Sequence, residues 1–341
     1  MVAERLAERL AEAVRKAHAV GAVAATLHKG SRAYAAAGSA APDRPMTAET
    51  PVRLASITKP MLAMAVFRAF QADPRSLDTP VREFFPELEP TWHNDVTLRR
   101  VLSHTGGLRS ADEATLNALG EGDDALTEAI RLESRLAYAW RPGAAWAYCN
   151  PGFRLAGAVL ARHHGTTFEQ AMQDLLLDPA GMRDSGFDRP TGAAAGHRKG
   201  VPQPDSYGRS RRPGGGLWST VGDVLSFAEY AMSDAAFIKL ACTELSPAAM
   251  GHRYGFGWFL NARADLMFHF GDVGGFRGLL VVAPDHQAAA VVVGNDEHGG
   301  ALSREVAFRE IANRTGLQRP RPAPKRLAYA AVRQMTAKVL A

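Results

Sequence analysis

Apolar positions follow a helical period in four segments between residues 4 and 313. In residues 4–20 the positions of Leu6, Leu10 and Val14 place one apolar stripe on a helix. The same period recurs in residues 56–71, 219–232 and 302–313. Because the 56–71 segment is mostly apolar all round, we expect that helix to be buried.

Strand patterns lie near the two ends of the sequence. Residues 23–28 and 32–36 flank Lys29-Gly30-Ser31, which predicts a β-hairpin. Further strands are predicted at 254–260, 266–270, 278–283 and 288–294. Between 72 and 213, helical segments alternate with loops rich in proline and glycine, and 197–216 is expected to be one long loop.

This order of elements predicts an α/β fold with one antiparallel sheet flanked by terminal helices, plus a mostly helical lobe. The α/β region comprises residues 1–55 and 215–318, and the lobe comprises 56–214, with an active site expected at their junction. Residues 319–341 form a proline-rich spacer and a last helix. The apolar stripe of that helix can dock on the sheet or on a second subunit, so we keep open an oligomer formed through it.

Composition narrows the class of protein. The chain has 341 residues, of which 46% are hydrophobic and 22% charged, as in ordinary globular proteins. No apolar run reaches the roughly 18 residues of a membrane span, and two cysteines cannot make a disulfide framework. Residues 1–16 alternate Glu and Arg, unlike a signal peptide. We therefore expect a cytoplasmic protein without a membrane partner.

The formal charge of +5 raises the question of nucleic-acid binding. Seven basic residues and no acidic residue follow Glu310, so the rest of the chain has a charge of about −2 (+5 minus 7). A cationic surface is therefore confined to the tail. We expect no nucleic-acid partner.

Ser56-Ile57-Thr58-Lys59 is the first candidate for chemistry. It opens a predicted helix, so the serine and the lysine one turn later face the same side. A serine becomes a nucleophile when a base takes its proton, and a lysine serves if burial lowers its pKa. The alternative is a surface Ser and Lys at chance spacing, although the sequence contains no other Ser-x-x-Lys.

Two further short motifs are candidates. In Tyr148-Cys149-Asn150 the tyrosine can act as a base or proton relay if nearby cations lower its pKa, and the asparagine can bind an amide-like substrate. We expect this motif in a loop that Pro151-Gly152 ends. His269-Phe270-Gly271-Asp272 ends a strand, where a backbone N–H can help to form an oxyanion hole. The alternatives are a packing tyrosine and an exposed histidine in a turn.

Other catalytic signatures are absent from the sequence. It contains no Gly-x-Ser-x-Gly, no His-Glu-x-x-His and no phosphate-binding loop. We therefore expect no cofactor and no metal. Cys149 has no obvious base nearby and is interpreted as a small packing residue.

Taken in order, the three motifs resemble those of the serine β-lactamase and penicillin-binding-protein superfamily. The similarity is strongest to its class C β-lactamase-like branch, which holds esterases, D-aminopeptidases, carboxypeptidases and transacylases. Intervening segments such as Leu102-Ser103-His104-Thr105-Gly106 and Arg141-Pro142-Gly143 match as well. The resemblance covers roughly residues 20–295.

The resemblance implies a role for each motif. Ser56 would be acylated, Lys59 and Tyr148 would share the proton transfers, and Asn150 would hold the substrate. The backbone N–H groups of Ser56 and Asp272 would form the oxyanion hole. The other expected substrate-binding residues are His269, Gly271, Asp272 and Arg277.

The third motif departs from the Lys-Thr/Ser-Gly of β-lactamases, because His269 stands where the lysine would be. A histidine is mostly neutral at pH 7 and would gain charge below about pH 6. Arg277 could partly replace the missing cation. This departure favours hydrolysis of a small ester or amide through an acyl-Ser56 intermediate. The alternatives are a transacylase, a weak β-lactamase or D-peptidase, and a non-catalytic binding module on the same fold.

Overall fold

The computed structural model describes residues 2–88, 95–248 and 252–318. Its helices are α1 Val2–Ala17, α2 Thr58–Phe70, α3 Leu98–Leu102, α4 Glu113–Ala118, α5 Ala125–Glu133, α6 Asn150–His164, α7 Phe168–Met172, α8 Arg212–Gly215, α9 Val221–Ser233, α10 Ala235–Cys242 and α11 Gly299–Thr315. Its strands are β1 Gly21–His28, β2 Ser31–Ala41, β3 Arg44–Pro45, β4 Val52–Arg53, β5 His197–Arg198, β6 Val201–Pro202, β7 Trp218–Ser219, β8 Ser246–Pro247, β9 Arg253–Tyr254, β10 Phe259–Leu260, β11 Met267–Val273, β12 Phe276–Ala283 and β13 Ala288–Gly294. The spacer and helix predicted at 319–341 lie outside the described residues.

Nine strands form one antiparallel sheet in the order β3-β2-β1-β13-β12-β11-β10-β9-β8. The first long strand pairs directly with the last one, from Ala22 opposite Gly294 to His28 opposite Ala288. This confirms the predicted antiparallel sheet built from both ends of the sequence.

The two faces of the sheet are covered by different layers. Alternate residues of β12 illustrate this: Leu279 packs in a cluster with α1 and α11, whereas Leu280 packs with α2, α9 and the helical lobe. Because successive side chains of a strand point to opposite faces, both neighbours are buried. The layer that holds α2 is the one that brings the Ser56 motif against the sheet.

The segment 254–260, predicted as one strand, is instead two short strands joined by a tight turn. The turn is closed by the Gly255 N–H, which donates to the Trp258 carbonyl at 2.9 Å. Gly257 has φ +81°, and a Cβ there would lie 2.4 Å from the Ala63 side chain. The prediction is wrong here because a packing contact with α2 requires the turn.

Two loop predictions also need correction. Pro151-Gly152 does not end the second motif: Asn150 begins α6, and Pro151 occupies the first turn, where its missing N–H costs nothing. The segment 197–216 is not one loop, since it contains β5, β6 and α8. Among the described residues, no helix is both long and apolar enough to cross a membrane.

Candidate active site

Ser56 lies in a short 3₁₀ turn, Ala55–Ile57, that leads directly into α2. Ala55 has φ +51°, a conformation that L-residues rarely adopt. The turn is held by Thr58, whose hydroxyl donates to the Ala55 carbonyl at 2.7 Å, and by Leu54, whose N–H donates to the Leu217 carbonyl at 2.9 Å. Backbone strain of this kind is typical of positions that carry chemistry.

Lys59 is completely buried beside Ser56. Its Nζ donates to the Ser56 Oγ at 3.0 Å and to the Gly214 carbonyl at 2.6 Å. No carboxylate of the described residues forms an ion pair with it. Burial lowers the pKa of the Lys59 ammonium well below its ordinary value, and the nearby Arg154 cation lowers it further. A neutral amine within hydrogen-bond distance of a serine is a competent general base.

Tyr148 contacts the same serine. Its hydroxyl hydrogen-bonds with the Ser56 side chain, and the Lys59 Nζ lies 4.9 Å from the centre of its ring. Burial raises the pKa of the Tyr148 phenol above its ordinary value. The expectation that cations would lower this pKa is therefore wrong, and Tyr148 retains its proton at neutral pH.

Asn150 and a residue that the sequence did not single out, Tyr207, meet at Gly214. A Cβ on Gly214 would lie 3.7 Å from the Lys59 Nζ, 3.8 Å from the Asn150 Oδ1 and 3.9 Å from the Tyr207 hydroxyl. The candidate base and two further polar groups therefore surround one glycine. No local pattern distinguishes Tyr207, because it belongs to an irregular segment far from Ser56 in sequence.

His269 is buried, with 1% of its surface exposed. Its Nδ1–H donates to the Phe270 carbonyl at 2.8 Å, which leaves Nε2 to accept from the Tyr254 hydroxyl at 3.2 Å. Burial, assisted by the Lys59 charge, lowers the pKa of His269 to about 3. The expectation that His269 gains charge below about pH 6 is therefore wrong.

Gly271, two residues on, lies against the turn that carries Ser56. A Cβ on Gly271 would approach the Leu54 carbonyl oxygen to 2.3 Å and the Ala55 Cβ to 3.2 Å. Only a glycine lets β11 come this close to the turn. The structure thus brings the third motif against the first.

Asp272 and Arg277 face each other across β11 and β12. The Arg277 Nε lies 3.1 Å from an Asp272 carboxylate oxygen, and its Nη1 donates to the Glu297 carbonyl at 2.8 Å. Arg277 is therefore engaged by Asp272 on the neighbouring strand and by the segment between β13 and α11. The catalytic roles of Ser56, Lys59 and Tyr148 and the oxyanion hole at Ser56 and Asp272 stay predictions. The same holds for the predicted substrate-binding residues, which are Asn150, His269, Gly271, Asp272 and Arg277.

Sequence reasoning also missed a buried ion pair behind the site. Arg154 on α6 donates through Nε to the Glu133 Oε2 at 3.0 Å, and its Nη2 contacts the other carboxylate oxygen. The two side chains are 4% and 3% exposed. Glu133 also accepts the Ala111 N–H at 3.1 Å. The pair thus joins α5, α6 and the 110–111 loop near Lys59.

The remaining candidates are the Cys149 thiol and side chains that could bind a metal. Burial raises the pKa of Cys149 to about 11, so its thiol stays protonated at neutral pH. Within 2–88, 95–248 and 252–318, no three His, Cys, Asp or Glu side chains cluster as a metal site would require.

Comparison with curated proteins finds relatives of several activities. The chain is 32% identical to esterase EstB of Burkholderia gladioli over 222 residues, which cover 60% of this chain and 56% of that protein. It is 26% identical to a D-aminopeptidase of Cereibacter sphaeroides over 301 residues, 82% of this chain and 56% of that one. A match to an Escherichia coli beta-lactamase is also 26% identical, over 61% of this chain and 55% of the relative. The chain therefore spans about half the length of these relatives.

Comparison with solved structures finds the same fold. The octameric penicillin-binding protein homologue from Pyrococcus abyssi superposes with a TM-score of 0.80 at 23% identity, over 95% of this chain and 80% of that one. SurE superposes with a TM-score of 0.79 at 24% identity, over 94% and 78% of the two chains. The Beta-lactamase family model matches residues 5–330, nearly the whole sequence. The chain belongs to the beta-lactamase family.

Proposed function

We propose that the protein is a serine acyl-transfer hydrolase that cleaves a small ester or amide through an acyl-Ser56 intermediate. The observation that carries the proposal is the completely buried Lys59, whose Nζ lies 3.0 Å from the Ser56 Oγ. Burial lowers the pKa of Lys59 well below its ordinary value, which favours the unprotonated amine that a serine nucleophile requires.

In the proposed reaction, the Lys59 amine takes the hydroxyl proton as the Ser56 Oγ bonds to the substrate carbonyl carbon. The carbonyl oxygen becomes an oxyanion, which the backbone N–H groups of Ser56 and Asp272 stabilise. The bond to the leaving group then breaks, and the leaving group receives a proton through Tyr148, which Lys59 reprotonates. Water attacks the acyl-enzyme by the same steps in reverse and restores the Ser56 hydroxyl.

The neutral state of Tyr148 and His269 supports an esterase-like activity rather than a β-lactamase activity. Because the Tyr148 phenol keeps its proton, it is better suited to relay a proton than to act as the general base. His269 offers no positive charge above about pH 3, so the strand lacks a cation for a β-lactam carboxylate. We therefore expect weak turnover of β-lactams. The similarity to an esterase and to D-aminopeptidases supports an ester or amide substrate.

The test is intact-protein mass spectrometry after mixing with para-nitrophenyl acetate. We expect one acetyl adduct, located on the Ser56 peptide, and no adduct in Ser56→Ala. Ser233→Ala, an exposed serine at the end of α9, is the matched control and should be labelled like the wild type. Labelling of folded Ser56→Ala to the wild-type extent would refute the assignment.

A transacylase shares this chemistry up to the acyl-enzyme and differs only in the group that attacks next. Adding an amine or alcohol to the acetylated protein distinguishes the two. Release of free acetate identifies a hydrolase, and appearance of the acetylated acceptor identifies a transacylase. A protein that folds and never becomes acylated by any ester or amide would be the binding module.

A further inference from the structure

A cavity of about 240 Å³ opens beside the candidate site. Its lining includes Arg53, which precedes Ser56 by three residues, and Tyr207, whose hydroxyl also reaches the Gly214 position next to Lys59. The volume is smaller than the roughly 300–1,000 Å³ of pockets that enclose drug-sized ligands. It suits one substituent of a substrate held at Ser56.

The cavity is lined by more positive than negative charge. Four arginines line it against two acids, Glu113 and Asp205, which leaves a formal charge of +2 (4 minus 2). Arg53 donates to both oxygens of Asp205 at 2.6 Å. The Arg211 Nη2 donates to Glu113 at 2.8 Å. Both acids are therefore already occupied by an arginine.

The two other arginines, Arg189 and Arg198, have no carboxylate partner among the described residues. Both are exposed at the cavity. The Arg189 Nη2 donates to the Ala194 carbonyl at a long distance of 3.4 Å. An unpaired guanidinium presents donors in a planar fork that matches a carboxylate.

Aromatic rings contact three of the four guanidinium groups, those of Arg53, Arg189 and Arg211. The Trp218 ring lies 4.5 Å from the Arg53 guanidinium carbon and 5.6 Å from that of Arg189. The Tyr207 ring lies 5.2 Å from Arg53 and 4.5 Å from Arg211. Because a cation over an aromatic face is stabilised there, these three side chains are positioned before any ligand enters.

We propose that this cavity is a subsite for a carboxylate carried by the substrate, bound by Arg189 and Arg198. The proposal rests on the proposed function, since it assumes that the rest of the substrate is held at Ser56. The charged group belongs either to the acyl chain or to the leaving group. Both sources share the same chemistry, and the experiment separates them.

The experiment compares two pairs of esters. In the first pair, para-nitrophenyl glutarate carries a carboxylate on the acyl chain and para-nitrophenyl isoheptanoate is its neutral isostere. In the second, para-carboxyphenyl acetate carries it on the leaving group and phenyl acetate is the neutral partner. For each pair, the ratio of kcat/KM for the charged ester to that for the neutral ester is measured in wild type and variants.

We expect the double substitution Arg189→Gln and Arg198→Gln to lower this ratio about tenfold or more for one pair, mainly through KM, as loss of a charged hydrogen bond would. The pair affected identifies the half of the substrate that enters the cavity. Arg75→Gln is the control, because Arg75 is 93% exposed and lies outside the cavity. It should leave both ratios unchanged.

Binding of glutarate itself, followed by ligand-observed NMR, needs no turnover and separates the two proposals. Ester turnover with ratios that the double substitution does not change would overturn the subsite and leave the proposed function standing. Glutarate binding that the double variant loses, without acylation of the wild type by any ester or amide, would support the subsite and refute the hydrolase. A wild type that neither binds glutarate nor turns over an ester would overturn both.

Discussion

The buried ion pair between Glu133 and Arg154 gives the sharpest prediction for the site. Glu133→Gln keeps the shape of the side chain and removes its charge, so Arg154 becomes a buried cation without a counter-charge. Because both side chains are less than 5% exposed, we expect a loss of about 3–5 kcal/mol in the free energy of unfolding. Urea denaturation followed by circular dichroism measures it.

The same substitution should change the pH dependence of the reaction. Arg154 lowers the pKa of Lys59, and the activity falls as the pH drops through that pKa, because only the neutral amine is a base. Glu133→Gln exposes Lys59 to the full Arg154 charge, so the acid limb of kcat/KM should move to lower pH. Arg154→Met removes the cation, so the limb should move to higher pH.

The assay is kcat/KM for para-nitrophenyl acetate as a function of pH, which reports the pKa of the free enzyme. Glu128→Gln is the matched control on the same helix, since the Glu128–Arg131 pair is about 40% exposed. It should cost less than about 1 kcal/mol and leave the limb in place. Limbs that move in the same direction in Glu133→Gln and Arg154→Met would refute this electrostatic account of Lys59.

Three other predictions concern single residues. Lys59→Arg should be nearly as inactive as Lys59→Ala in the para-nitrophenyl acetate assay, because an arginine does not deprotonate; substantial activity would move the base elsewhere. Gly271→Ala should cost about 1–3 kcal/mol and most of the activity, since its Cβ would lie 2.3 Å from the Leu54 carbonyl. Gly186→Ala, where the space is open, should behave as wild type in both the melting and the activity measurement. Between about pH 6.5 and about pH 3, His269 binds a proton only in the unfolded protein. As the pH falls through this range, the free energy of unfolding of the wild type should therefore decrease by about 1.4 kcal/mol per pH unit more than that of His269→Gln. Equal slopes would contradict the neutral histidine.

The sequence alone predicts those elements whose own residue pattern determines that they are buried. Ala288–Gly294 is a strand with the predicted bounds because all seven residues are apolar or small and all are buried. The α2 helix follows from the uninterrupted apolar run between Lys59 and Arg68. The candidate nucleophile and base could be identified together because one helical turn separates them, so local spacing fixes their geometry.

Features that depend on distant segments could not be predicted. Tyr207 reaches the site because Gly215 leaves room for its hydroxyl, which would lie 2.8 Å from a Cβ at that position. Glu133 and Arg154 are separated by 21 residues, and in the sequence they look like ordinary surface charges. They become a buried pair only because α5 packs against α6. The pKa of His269 likewise depends on its burial beside Tyr254 rather than on the motif that contains it.

The pairing of β1 with β13 also has a consequence for the order of events during synthesis. Residues 21–28 leave the ribosome more than 250 residues before their hydrogen-bonding partners at 288–294. The strand beside the Ser56 turn, β11, is connected to β1 only through β12 and β13. Contacts of such high sequence separation slow folding. The candidate nucleophile and base are therefore translated long before the sheet surface on which they rest can assemble, so we expect a nascent chain to lack a complete site until residues 288–294 have emerged.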